Sequence, residues 1–138
     1  MSAPSDPRQA LRRLEGAADE GSRLKELVKR HRLSMVVVFG SVLTENRPAA
    51  DLDLAVEAPA PLDLLALSGD LYALTGYEDI DVLDLSRAGT VLRAEALGYG
   101  RPLFESVPGR FAEAQVTALA MLWETRWLRD LELEMLAG

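Results

Sequence analysis

The run Ser34-Met35-Val36-Val37-Val38-Phe39 is dominated by β-branched and apolar side chains and is closed by Gly40. It is too short to be a helix of its own and lacks the polar alternation of a half-solvated strand, so it predicts a strand buried on both faces. Such a strand needs cover above and below, which commits the chain to a small sheet with helices packed against it. At 138 residues there is room for one core of this kind, so residues 1–138 are expected to form a single domain.

The other elements follow from spacing and punctuation. Leu11 and Leu14, then Leu24, Leu27 and Val28, recur at helical intervals with Gly16 and Gly21 nearby. They predict one broken helix or two short ones within residues 1–33. A second strand is expected at Asp51–Glu57. Leu64, Leu67, Leu71 and Leu74 mark one face of a helix starting near Pro61 and stopping at Gly76. A third strand covers Asp79–Leu85, a short helix Val91–Leu97, and a brief extended piece Arg101–Phe104. A long helix closes the pattern at 109–136. The fold class is therefore α/β in the α+β sense, a small mixed sheet flanked by helices.

Composition excludes several chemistries. The chain has no cysteine and one histidine, His31. A disulfide framework, a thiolate zinc site, a cysteine nucleophile and clustered imidazole ligands are all removed, so any metal must sit on oxygen. The formal net charge of −7 opposes direct nonspecific binding of nucleic acid. The charge is uneven, at +3 over residues 1–33 and −10 over residues 34–138. No apolar run is long enough to span a membrane, and the first residues show no basic segment leading into an apolar one. A reducing cytoplasm is the expected location.

The chemistry concentrates in Phe39-Gly40-Ser41 and Asp51-Leu52-Asp53-Leu54. Residues i and i+2 of a strand share a face, so Asp51 and Asp53 project together. Their like charges repel unless a divalent cation lies between them. Gly40-Ser41, between a buried strand and the next short helix, allows a phosphate to approach the backbone, with the Ser41 hydroxyl and free N–H groups to receive it. In Ile80-Asp81-Val82-Leu83-Asp84-Leu85, Asp79, Asp81 and Leu83 share one face. If this strand pairs beside the first acidic one, one of its aspartates completes a carboxylate triad.

Taken in order, the buried strand, the Gly-Ser turn, the Asp-x-Asp strand and the third aspartate resemble the nucleotidyltransferase superfamily related to DNA polymerase β. Within it the chain most resembles the minimal nucleotidyltransferase (MNT) family, the antitoxin half of HEPN/MNT toxin–antitoxin pairs. The likeness runs from the first strand through Gly98-Tyr99-Gly100-Arg101-Pro102-Leu103-Phe104 to the closing helix. It implies a polymerase β-like fold with a long C-terminal helix. Gly40 and Ser41 would contact a triphosphate, with Arg47 the cation in the same loop; Asp51, Asp53 and Asp81 would be the catalytic and metal-binding carboxylates. Asp81 is preferred because it sits mid-pattern, with Asp79 second and Asp84 facing away. Thr44-Glu45 and Ala50 stand where family members often carry an Arg-Gly pair and a serine, and the loop of nine residues between Ser41 and Asp51 is about one short.

The resemblance further implies two Mg2+ ions, ATP as substrate, and transfer of AMP to a tyrosine of a HEPN-domain ribonuclease toxin, which silences it. Two other readings stay open: an antitoxin that acts by binding alone, and a nucleotidyltransferase acting on a small molecule.

Three further features carry expectations. His31, at the end of the basic stretch Lys29-Arg30-His31-Arg32, reads as a solvated residue favoured by a helix C-terminus. Tyr77 and Tyr99 read as packing residues, with self-modification the functional option. In the last helix Val116, Leu119, Trp123 and Trp127 form one stripe, yet apolar residues continue round other faces. The surplus points to a homo- or hetero-oligomer formed through this helix.

Overall fold

The computed structural model describes residues 4, 6–19, 23–44, 49 and 51–137. The elements are α1 (Pro7–Asp19), α2 (Arg23–His31), β1 (Met35–Phe39), a 3-10 turn (Ser41–Leu43), β2 (Leu52–Glu57), α3 (Leu64–Thr75), β3 (Ile80–Asp84), α4 (Thr90–Gly98), β4 (Arg101–Glu105) and α5 (Arg110–Ala137). The strands form one mixed sheet in the order β3-β2-β1-β4. β1 is antiparallel to both β2 and β4, and β2 runs parallel to β3. The parallel pair needs a crossover, and α3 supplies it.

Two expectations shift at element ends. α3 starts later than Pro61 because the Asp63 carboxylate accepts a hydrogen bond from the Ala66 N–H at 3.1 Å and caps the first turn. It ends as expected at Gly76, whose φ of 72° is left-handed and whose N–H donates to the Tyr72 carbonyl at 2.7 Å. The extended piece at Arg101–Phe104 proves to be a paired strand, β4, lying at the sheet edge where Pro102 costs no central ladder bond.

Period-2 alternation divides the core. Val36, Val38, Leu52, Leu54, Val56, Ile80 and Val82 turn to one face, where α1, α2 and α3 cover them with leucines. Met35, Val37, Ala55 and Leu83 turn to the other, against α4 and the start of α5. The second layer is smaller and leaves the end of the sheet near Phe39, Asp53 and Asp81 open as a cleft.

α5 packs through small residues. Ala114 and Ala118 are buried against α4, and the Gln115 side chain donates to the Leu97 carbonyl at 3.0 Å. Small residues let the two helices approach closely. Of the Val116, Leu119, Trp123 and Trp127 stripe, Trp123 is 72% and Trp127 61% exposed, and every residue from 126 to 137 is exposed. Among the described residues no helix is long and apolar enough to cross a membrane.

Candidate active site

β2 and β3 place Asp53 directly beside Asp81 in the parallel register, while Phe39 pairs with Asp53 across β1 and β2. Asp51 precedes β2 on the same side. Carboxylate oxygens of Asp51, Asp53 and Asp81 lie within 4.8 Å of one another, with Asp51 and Asp81 exposed and Asp53 half-buried. The sequence-expected trio is thus brought together, by strand alternation for the first pair and by strand pairing for the third. Asp84 turns to the other face and accepts from the Ser86 N–H at 3.0 Å and hydroxyl at 2.7 Å, closing a local turn. Asp79 contributes its carbonyl to the Leu52 N–H at 2.9 Å and is not in the carboxylate group.

The electrostatic cost of this arrangement falls on Asp53. Burial pushes the Asp53 carboxyl above its ordinary range, and the charges of Asp81 and Asp51 push it further the same way. Among the described residues no cation offsets these effects. Three hard oxygen donors converging with no basic partner among the described residues form a donor set suited to a divalent cation such as magnesium.

Gly40 fits the same picture. Its φ of 84° and ψ of −160° fall in a region essentially reserved for glycine, and a Cβ there would overlap the Asp53 carboxylate oxygen. The backbone therefore passes flush against the acidic group. Ser41 opens the 3-10 turn just after it, as expected, and its carbonyl accepts from the Thr44 N–H at 3.0 Å. Arg47 lies outside the described residues. From α1 the Arg8 guanidinium donates to the Thr44 carbonyl at 2.7 Å and ties the end of this turn to the helical layer.

The cleft around Gly40, Asp53 and Asp81 has a volume of about 720 Å³, within the range of small-molecule sites. Its far wall is α4, through Leu92, Glu95 and Tyr99. Sequence reasoning missed this wall, although the i, i+3, i+7 spacing of these residues places them on one helix face. Of two expectations nearby, one is corrected and one holds. Tyr99 does not pack: it is 87% exposed at the cleft rim. Tyr77 does pack, against the larger core, and burial together with Asp79 and Asp51 raises its phenol above the ordinary value.

His31 is also corrected. Only 8% of its side chain is exposed, and its Nε2 lies 2.6 Å from the Asp70 carboxylate on α3. Hydrogen bonds from His31 and Arg30 hold the Asp70 carboxyl below its usual range. Much of the basic face works in the same way, with Arg13 donating to the Thr75 carbonyl at 3.0 Å.

The model of the family described as polymerase beta, nucleotidyltransferase, matches residues 22–108, which hold the Gly-Ser turn and all three carboxylates. The chain belongs to that nucleotidyltransferase family. No curated protein matches the sequence. Among solved structures, a toxin–antitoxin with AMP-PNP is similar at 22% identity and TM-score 0.65, over 84% of this chain and 97% of that one. A MntA–HepT toxin–antitoxin structure is similar at 22% identity and TM-score 0.61, over 84% and 95%. A tri-AMPylated Shewanella oneidensis HEPN toxin in complex with MNT antitoxin is similar at 21% identity and TM-score 0.62, over 90% and 99%. At such identities the likeness establishes the nucleotidyltransferase fold, including the long last helix.

Proposed function

We propose that this protein is the antitoxin of a HEPN/MNT pair and transfers AMP from ATP to a tyrosine of a HEPN ribonuclease partner. The observation that carries the reading is the convergence of the Asp51, Asp53 and Asp81 carboxylates at the mouth of an open cleft, with the Gly40 backbone flush against Asp53. The kind of acceptor is taken from the solved complex of MNT antitoxin with a tri-AMPylated HEPN toxin.

In this reading Asp51, Asp53 and Asp81 hold magnesium, which when bound neutralises triphosphate charge and lowers the pKa of an acceptor hydroxyl. Gly40 and Ser41 bring backbone N–H groups to the phosphates, and Arg47 is the basic residue of the same loop. The acceptor phenol forms a bond to the α-phosphorus, the α–β phosphoanhydride bond breaks, and pyrophosphate leaves. Asp81, exposed at the edge of the sheet, is the carboxylate placed to take the phenolic proton. Residues 1–138 then act as one domain, with the acceptor supplied by a second protein.

α5 is the docking element in the same proposal. Trp123, Trp127 and Leu131 are exposed, and aromatic residues of this kind anchor interfaces. A cytoplasmic location, where ATP and magnesium are both at hand, belongs to the same proposal.

Incubating the chain with magnesium, labelled ATP and the product of its neighbouring gene tests the reading. Label is expected on a tyrosine of the partner with wild type and is lost with Asp53→Ala. No transfer by wild type, or equal transfer by the variant, overturns it.

A further inference from the structure

Tyr99 is exposed to an extent that no packing role explains. It caps the C-terminus of α4, is 87% exposed, and lines the cleft that also holds Asp53 and Asp81. Among the described residues its hydroxyl has no hydrogen-bond partner. Its backbone, by contrast, is fixed on both sides. α4 ends immediately before it, and Gly100 immediately after it is pressed so closely to the Ala96 carbonyl and the Val37 side chain that a Cβ would overlap both. One residue later, Arg101 is already paired with Val38 in the sheet. A rigid base thus presents a free phenol at the rim of the carboxylate cleft.

The remaining tyrosines do not share this placement. Tyr77 is packed against the larger core, and Tyr72 lies on α3, which covers the opposite face of the sheet. Neither lines the cleft.

We propose that Tyr99 is an acceptor of the chain's own AMP transfer, modified within the same molecule. The inference rests on the reading that the cleft transfers AMP from a nucleoside triphosphate. The Tyr99 phenolic oxygen forms a bond to the α-phosphorus, and the bond from that phosphorus to the α–β bridging oxygen breaks. The bond's electron pair leaves with pyrophosphate, and the phenolic proton passes to water at the open rim. The product is a tyrosine phosphodiester carrying AMP at the mouth of the cleft. It obstructs entry of the next nucleotide, so a chain that meets ATP before its partner closes its own site.

The test uses the full chain alone with magnesium and ATP, followed by intact mass and peptide mapping. The expected result is a gain of one AMP unit on the peptide containing Tyr99, at a rate per chain that does not change with protein concentration. Tyr99→Phe reduces the gain by at least about tenfold while melting at the wild-type temperature, and Tyr72→Phe retains it. The modified chain is expected to bind a fluorescent non-hydrolysable ATP analogue at least about tenfold more weakly than the unmodified one. Label on another residue overturns the inference, as does a rate per chain that rises with protein concentration. An unlabelled chain that still labels a partner tyrosine also overturns it, and leaves the proposed function standing. Label on neither protein overturns both.

Discussion

Asp53 and Glu57 lie on the same face of β2, four residues apart, and each is partly shielded from water. At the Glu57 end the fold supplies what a buried carboxylate needs. The Arg110 guanidinium donates twice, at 2.8 and 2.5 Å, and the Ser34 hydroxyl donates at 2.7 Å, so that the Glu57 carboxyl is held below its ordinary range. At the Asp53 end the neighbours are two more carboxylates, and the shift runs upward. One strand thus carries a carboxylate that serves stability and another that works against it. Glu57 receives its cation from the chain, whereas in the proposed function Asp53 receives one from outside.

The largest expected effect comes from removing charge at the unpaired end. Asp53→Asn should reduce AMP transfer at least about 10³-fold and yet melt about 2 °C higher at neutral pH without magnesium, the size of a fraction of a kcal/mol. The sign follows from linkage. A carboxyl whose folded-state pKa is raised favours folding below its unfolded-state value, and that contribution is lost as pH rises through the folded-state value. Enzymatic transfer assays and thermal melts check the two halves separately.

Gly40→Ala comes next. It forces a side chain into a glycine-only conformation and against the Asp53 carboxylate, with a cost of about 2–3 kcal/mol in stability and a loss of transfer of about 10²-fold. Urea unfolding and transfer kinetics measure both. A variant as stable as wild type would mean that the turn and the acid do not constrain each other.

At the paired end, Arg110→Met should destabilise by about 1–2 kcal/mol and change the acid limb of the stability profile. The Glu57 carboxyl is lowered in the folded state, so its contribution is present above the unfolded-state pKa and lost as pH falls through the folded-state value. The variant should lose that part of the slope in melts taken across the carboxylate range.

α5 extends the contrast, because Arg110 anchors its first turn to β2 while every residue of its last three turns is exposed. Trp127→Glu should change folding stability by less than about 0.5 kcal/mol and weaken association with the partner at least about tenfold. A variant that unfolds, or that binds normally, would remove the helix from the interface.

The local parts of this arrangement were legible in the sequence. Strand alternation alone put Asp51 with Asp53, and the glycine after β1 marked the turn. What was not legible depended on pairing between distant segments. Arg101–Phe104 reads as a brief extended piece with no stated partner until β1 offers it a ladder. His31 reads as solvated until Asp70 arrives from α3, and α4 reads as a bland short helix until folding sets Leu92 and Tyr99 around the cleft that Asp53 and Asp81 line. The last helix misleads for another reason. The large apolar stripe looks like its buried face, but close contact with α4 selects Ala114 and Ala118 and leaves the tryptophans outside.

Melting of wild type and Asp53→Asn, each with and without magnesium at low ionic strength, tests the central claim most directly. Wild type should gain stability from magnesium, and the gain should fade as pH falls and Asp53 takes up its proton. The variant should start higher and gain nothing. Equal responses to magnesium in the two proteins would contradict the assignment of Asp51, Asp53 and Asp81 as a metal-binding group.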